Sequence, residues 1–352
     1  MAVRVATSER SPATTSPAHS VVGSDGPAVR RLGTVGRSAP AAVRRPVTVG
    51  RSAPAVPAVS ARLLGPLARR IAETRDDTTV AREAAFVQRQ WDVVTKLTSY
   101  FSPEIRGVEH VPLTGPALVV GNHSCLFYMP DAWITGLAIA GRRGFDTPTY
   151  ALGYDLLFAI PGVGPYLRRL GLLPAAPEEA AAALGEGAAV LVYPGGDQEA
   201  CRPWTKRNRV DLAGHTGFIR LALEHHVPVV PVVAHGSHDA VIVLSRGDRL
   251  ARLMGLHLLR IKVFPIVVGP PFGVTTALVP PLPLPSSITI EFLPALEWRR
   301  HGRRAASDEA FVASCYEEIS GVMQATLDRL QRERPHPVAR GVSNLMSRVV
   351  AR

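Results

Sequence analysis

The chain has 352 residues, 46% of them apolar, enough for one large domain or two small ones with a sizeable core. Its formal charge of +11 sits at the ends: residues 1–60 hold eight arginines against two acids, and residues 331–352 hold five against one. The part between is nearly neutral, which argues against a nucleic-acid partner, since that needs a basic face on the fold itself. Arginine-rich ends suit an anionic membrane surface, or reflect arginine-rich composition alone.

Cys125, Cys201 and Cys315 follow neither disulfide nor metal spacing and fit a reducing compartment, so a cytoplasmic protein is expected. No apolar run reaches eighteen residues, and the N-terminus lacks the apolar core of a secretory signal. Contact with a membrane would then be peripheral, on the inner face of the cell membrane.

Residues 1–60 are rich in Ala, Pro, Ser, Val and Arg and lack Lys, Phe, Tyr and Trp. Thr34–Pro40 recurs as Thr48–Pro54, but two short copies do not make a solenoid. The composition predicts a disordered basic tail that cannot bury enough surface to fold. From Thr78 to Tyr100, Ala84, Val87, Trp91, Val94 and Leu97 recur near helical spacing, which predicts a helix packed on the core or lying on a bilayer.

Short strands are expected at Ile105–Val111 and Ala117–Gly121, then at Thr149–Leu152. Tyr154–Gly171 is too interrupted by Gly and Pro for a long helix, yet apolar enough to line a groove. Pro177-Glu178-Glu179 opens a helix to about Gly185. Ala188–Tyr193 reads as a strand, Gly217–Glu224 as a helix and Val227–Val233 as a strand. Leu256–Pro285 reads as an apolar, Pro-rich loop, and Ile288–Leu293 as the last strand. Ser307 is expected to cap a helix to about Arg332, with Phe311, Cys315, Ile319, Val322 and Leu330 on one stripe. Strands alternating with helices predict an α/β fold: a single domain with a mostly parallel central sheet flanked by helices. The boundaries are a tail at 1–60, the domain at 61–334 and a basic C-terminal tail at 335–352.

Two strand ends carry the chemistry. His123 follows the Ala117–Gly121 strand, where open α/β sheets bind their ligands, and Asp131 lies eight residues on as the expected N-cap of the next helix. A His-Asp pair lets the carboxylate fix the imidazole tautomer while the free ring nitrogen takes a proton from a hydroxyl. The alternative is a polar loop histidine beside a capping aspartate. After the Ala188–Tyr193 strand come Pro194, Gly195 and Gly196, with Glu199, Arg202, Lys206, Arg207 and Arg209 close behind. Glycines admit a close anion and the cations would pair with it, although a Gly-Gly turn with a solvated basic loop accounts for the same residues. Together the two ends suggest group transfer onto an alcohol beside an anion-holding loop.

The residues Gly121-Asn122-His123-Ser124 with Asp131, then Val192-Tyr193-Pro194-Gly195-Gly196 with Glu199, resemble the lysophospholipid (glycerolipid) acyltransferase superfamily. Gly217–Ala222 and Val227–Val232 extend the resemblance, which covers roughly residues 80–300 and is nearest to the bacterial monoacylglycerol- and diacylglycerol-acyltransferase-like branch. The resemblance implies transfer of an acyl group from an acyl thioester to a lipid hydroxyl at the cytoplasmic membrane face, in phospholipid or other lipid biosynthesis. It makes His123 the general base and Asp131 its orienter, and gives Asn122, Ser124, Tyr193, Pro194, Gly195, Gly196, Glu199 and Arg202 to the substrates. It implies a Val-Pro-Val-Val-Pro acyl-binding wall and no covalent acyl-enzyme. The partners implied are acyl-coenzyme A (a co-substrate rather than a cofactor) or an acyl carrier protein, together with the lipid acceptor. The best-known motif of the superfamily places four residues between His and Asp; here Tyr128 stands there and Asp131 is the first acid downstream. Gly195-Gly196-Asp197 replaces the Pro-Glu-Gly of phosphate-binding members, which points to a neutral acceptor such as a diacylglycerol or a fatty alcohol.

Other readings compete. Cys125 beside His123 would make a thiol enzyme. No Gly-x-Ser-x-Gly elbow supports a serine hydrolase. His225, His226, His235, His238 and Asp239 invite a metal site but offer no complete ligand set, so none is assigned. A non-catalytic lipid-binding or membrane-tethering protein with the same fold is the alternative from a different class.

Overall fold

Ala117–Gly121 is buried along its whole length, as an apolar run must be when both faces of its strand are covered. The computed structural model describes residues 5–6, 81–124, 127–256, 262–276 and 278–351. In chain order the strands are β1 (Val5–Ala6), β2 (Glu104–Arg106), β3 (Ala117–Gly121), β4 (Thr149–Gly153), β5 (Leu172–Pro174), β6 (Ala189–Val192), β7 (Val229–His235), β8 (Ile242–Ser245), β9 (Ile266–Gly269), β10 (Gly273–Thr276) and β11 (Thr289–Phe292). The helices are α1 (Ala84–Thr98), α2 (Pro130–Arg143), α3 (Asp155–Phe158), α4 (Val163–Arg169), α5 (Pro177–Gly185), α6 (Gly196–Ala200), α7 (Gly217–His225), α8 (Asp248–Leu253), α9 (Gly302–Ala306), α10 (Glu309–Glu333) and α11 (Pro337–Val350).

Among the described residues, eight strands form one sheet in the order β1-β2-β11-β7-β3-β6-β4-β5, and β8, β9 and β10 form a second. In the large sheet only the β11–β7 pair is antiparallel. The protein is therefore an α/β fold with a mostly parallel sheet flanked by helices. Side chains alternate across β3: Leu118 and Val120 join Ile219, Leu223, Ile319 and Met323, while Val119 joins Ile134, Ile139 and Val230 on the other face. Each fully buried Leu or Ile in these layers contributes about 1.5–3 kcal/mol.

Several expectations shift. The strand expected at Ile105–Val111 stops at Arg106, because Gly107 turns left-handed (φ 66°) and any Cβ there would meet the Phe292 carbonyl oxygen at 2.2 Å. The expected Leu256–Pro285 loop contains β9 and β10 instead, with Val274 opposite Val268 and Val268 opposite Ile242. Ser307 does not cap α10: it ends α9, so Asp308 takes the cap and accepts from the Phe311 N–H at 3.1 Å. The buried stripe of α10 runs Val312, Cys315, Ile319, Met323, Leu327 and Leu330, with Val322 exposed. The expected C-terminal tail is helical over Pro337–Val350, and the Arg348 guanidinium donates to the Ser99 carbonyl at 2.7 Å. The tail expected at 1–60 lies outside the described residues except for Val5 and Ala6, which form the edge strand β1. No helix among the described residues is long and apolar enough to cross a membrane.

Candidate active site

β3 ends at Gly121 and delivers Asn122, His123 and Ser124 to the carboxyl edge of the sheet. The Asn122 amide donates to the Ala234 carbonyl at 3.0 Å and accepts from the Ala234 N–H at 2.8 Å, which clamps this turn to β7. α2 then brings Asp131 back. Pro130 takes the first helical position, where its missing N–H costs nothing, so Met129 becomes the N-cap and Asp131 falls inside the first turn. The expected cap role of Asp131 is thereby corrected. Its carboxylate points to the loop: Oδ2 lies 2.7 Å from His123 Nδ1 and accepts from the Ser124 N–H at 3.0 Å. Asp131 is fully buried, and the helix N-terminus favours its negative charge.

With Nδ1 held by Asp131, His123 presents Nε2 to a cavity of about 630 Å³ that it lines. Burial works against protonation of His123, but the charge and hydrogen bond of Asp131 and the charge of Glu199 outweigh it, so the imidazole titrates above the ordinary 6.5. The Tyr193 ring stacks on His123 with centroids 4.7 Å apart. Gly121 makes room for that ring, since a Cβ there would meet Tyr193 Cε1 at 2.5 Å. Burial holds the Tyr193 phenol well above 10, and the nearby Asp131 charge adds to this, so it stays neutral.

The Gly-Gly loop closes the site from behind. Glu199 is fully buried; its Oε2 accepts from the His123 N–H at 2.8 Å and its Oε1 from the Asp211 N–H at 3.0 Å. Gly195 carries no side chain because a Cβ would meet the Asp211 carbonyl oxygen at 2.3 Å and Glu199 Oε2 at 2.5 Å. Arg202 pairs with Glu199 at 3.2 Å and donates to the carbonyls of Lys206 (3.1 Å) and Arg207 (3.0 Å). Arg207 stacks on Trp204 and pairs with Asp239 at 3.3 Å, while Lys206 and Arg209 are exposed. The four cations expected to gather on one anion are thus dispersed, because Arg202 and Arg207 pair with the buried Glu199 and Asp239.

Of the residues assigned to the substrates from sequence, Tyr193 and Gly196 line the cavity. Asn122, Ser124, Glu199 and Arg202 are buried around His123. The Pro194 carbonyl accepts from His215 Nδ1 at 2.7 Å. The apolar wall is also placed differently from its expected position. β7 is buried through all seven residues at the centre of the sheet, and the cavity is walled by Trp91 and Val94 of α1, Trp133 and Leu137 of α2, Leu152 of β4 and Leu157 of α3. Tyr154, Leu170 and Gly171 also line it, as the groove reading of that stretch anticipated. Sequence reasoning missed Trp91 and Trp133, whose apolar positions on helical stripes carry no sign of facing a void rather than the core.

His235 Nε2 lies 3.1 Å from Gln331 Oε1, and His238 Nε2 donates to the Arg202 carbonyl at 2.9 Å. Burial, helped by the Arg202 charge, lowers the His238 imidazole to about 3, so it stays neutral. No group of three or more His, Cys, Asp or Glu among the described residues is arranged to hold a metal ion. Cys125 lies outside the described residues.

A strand-end loop with a His-Asp pair over an apolar cavity can take a proton from a hydroxyl. Residues 102–235 match the family model named Acyltransferase, which spans the His123 loop, the Gly-Gly loop and β7. Over this stretch the chain is similar to the Acyltransferase family. It is 29% identical over 232 residues to an uncharacterized protein of Mycobacterium tuberculosis, covering 66% of this chain and 62% of that protein. It is 26% identical over 241 residues to the DGAT1/2-independent enzyme synthesizing storage lipids of Bos taurus, covering 66% and 65% of the two chains. The chain thus spans somewhat less than two thirds of the length of these relatives. Among solved structures, the 1-acyl-sn-glycerophosphate acyltransferase PlsC of Thermotoga maritima is similar at 16% identity and a TM-score of 0.39, covering 78% of this chain and 95% of that one.

Proposed function

We propose that this protein is an acyltransferase that moves a fatty acyl group from an acyl thioester to the hydroxyl of a lipid acceptor at a membrane surface. The observation that carries the reading is His123, held at Nδ1 by Asp131 at 2.7 Å and turned toward a 630 Å³ apolar cavity. His123 Nε2 takes the acceptor's proton as its oxygen attacks the thioester carbonyl. The tetrahedral intermediate then expels the thiolate, which receives the proton from the imidazolium. Asp131 keeps the imidazole in the tautomer this requires and stabilises the cation that forms. The cavity walls exclude water, which would otherwise compete as the nucleophile.

The acceptor proposed is a neutral lipid alcohol such as a diacylglycerol or a fatty alcohol. Its support is that Arg202, the cation nearest the Gly-Gly turn in sequence, is buried and committed to Glu199 and backbone carbonyls. The donor is acyl-coenzyme A or an acyl carrier protein thioester.

The test is thiol release from a long-chain acyl-coenzyme A, and from the matching carrier-protein thioester, with diacylglycerol, a fatty alcohol and a lysophospholipid as acceptors. Acceptor-dependent release should fall about 10²–10⁴-fold in His123→Ala. No release from either donor with any acceptor, alongside undiminished lipid binding in His123→Ala, would replace the enzyme with a lipid-binding protein of the same fold.

A further inference from the structure

We propose that the protein docks on an anionic lipid bilayer through one continuous face, made of the β9–β10 hairpin, the Pro281–Leu282 segment and α11. This rests on the acyltransferase reading only for what the membrane delivers.

The hairpin exposes Phe272 at 60% and Val274 at 66%, and just beyond it Leu278 is 74% exposed. Val274 lies opposite Val268, and Val268 opposite Ile242, so these side chains share the outer face of the three-stranded sheet. Val243 and Val267 turn inward to the core. Polar side chains normally cover an exposed antiparallel face; here its middle is apolar, and Thr276 and Ser245 flank Ile266 at one end. On α11, Met346, Val349 and Val350 are exposed at 61–84%.

Hydrogen bonds join these parts into one surface. The Leu282 N–H donates to the Pro270 carbonyl at 2.7 Å, and the Tyr100 hydroxyl donates to the Pro283 carbonyl at 2.8 Å. Arg348 of α11 donates to the Ser99 carbonyl, next to Tyr100 and close to Leu97, which is 68% exposed at the end of α1. The same surface meets the active site: the Tyr128 hydroxyl, in the His123–Asp131 loop, donates to the Pro281 carbonyl at 2.7 Å. Leu278 itself lines the cavity that holds His123.

Charge selects the occupant. Residues 241–290 carry five basic residues against one acid, and residues 331–352 again five against one. The rest of residues 61–330 carries an excess of acids. Both segments that build this face therefore carry net positive charge, with Arg249, Arg252, Lys262 and Arg340 all exposed. Apolar side chains flanked by cations match the boundary between lipid headgroups and acyl chains. Because Leu278 belongs to this face and also lines the cavity, a neutral lipid passes from such a bilayer to His123 without crossing water.

The test is co-sedimentation of the full chain with vesicles of phosphatidylcholine, with and without phosphatidylglycerol. Phe272→Asp with Val274→Asp should weaken binding about tenfold or more, since two side chains lose apolar burial. Arg249→Gln with Arg340→Gln should weaken binding to the anionic vesicles several-fold and leave neutral vesicles unaffected. All four residues are exposed and lie outside the site, so melting temperatures should hold and thiol release with a water-soluble short-chain acceptor should match wild type. Wild-type protein that ignores both vesicles, or a hairpin variant that binds them as wild type does, overturns the docking face while the acyltransferase reading stands. A lipid-free wild-type dimer that the hairpin variant turns into a monomer also overturns it, because the face is then a subunit interface. Vesicle binding without thioester consumption would instead sink the acyltransferase reading and leave the face standing.

Discussion

His123 Nδ1 and Asp131 Oδ2 lie 2.7 Å apart although eight residues separate them in the chain. Tyr128 occupies the place of the usual acid, and its hydroxyl instead reaches the Pro281 carbonyl. Despite that spacing, the first turn of α2 brings the carboxylate to His123 Nδ1. Asp131→Asn preserves the volume but removes the charge, and its NH2 can face His123 Nδ1 and favour the wrong tautomer. Acceptor-dependent thiol release should drop about 10²–10⁴-fold while the melting temperature changes little. A drop in activity that merely tracks lost folded protein would contradict the orienting role.

The pH profile follows from the same pair. Burial opposes the imidazolium, but Asp131 and Glu199 raise His123 above 6.5, and the proposed mechanism needs the base form. The rate should fall on acidification with a midpoint above 6.5, and Asp131→Asn should move that midpoint down. A midpoint that ignores Asp131→Asn would point to another base.

Stability should carry a linked signature. The raised His123 value means that its contribution is complete below 6.5 and is lost as pH rises through the native value. Burial also pushes the Glu199 carboxyl from 4.5 to about 7, against Arg202 and two backbone donors. That group likewise favours the folded state below 4.5 and loses its contribution as pH rises to about 7. Glu199→Gln should therefore flatten the fall in denaturant-derived stability between these values relative to wild type. Glu199→Ala leaves Arg202 buried without its partner and should cost about 3–5 kcal/mol, read from chemical denaturation.

Gly121 is a test of the ring stacked on the base. Gly121→Ala places a Cβ 2.5 Å from Tyr193 Cε1, so the ring or β3 must shift. Activity should fall by at least about tenfold, while Tyr193→Phe, which keeps the ring, should preserve most of it. Equal losses in both variants would assign the effect to the hydroxyl rather than the packing.

Gly136 lies on α2 facing the cavity, with nothing within 4 Å of a Cβ built there. Gly136→Phe should fill part of the cavity and leave the helix intact, since almost any residue improves on Gly there by up to about 1 kcal/mol. Turnover of long acyl chains should fall while short chains are spared. Equal loss across chain lengths would mean that the acyl group lies elsewhere.

Much of the framework was legible in the chain because its signals are local. The apolar run of Ala117–Gly121, the Pro-Glu-Glu start of α5 and the helical stripe of α10 report burial and caps through neighbours a few residues away. So did His123, placed at a strand end by the run before it. The rest depended on contacts that spacing does not encode. Whether Asp131 caps its helix or reaches back to His123 was decided by Pro130 at the first helical position and by the path of the loop. Whether Glu199 and Arg202 face a substrate or each other was decided by the approach of Asp211 and His123 from distant parts of the sequence. Trp91 and Trp133 read as core on their helices, and only the gap between α1, α2 and β4 makes them walls of a cavity. Local periodicity specifies which face of an element is apolar; the packing of several elements alone decides whether that face meets another side chain or an empty space.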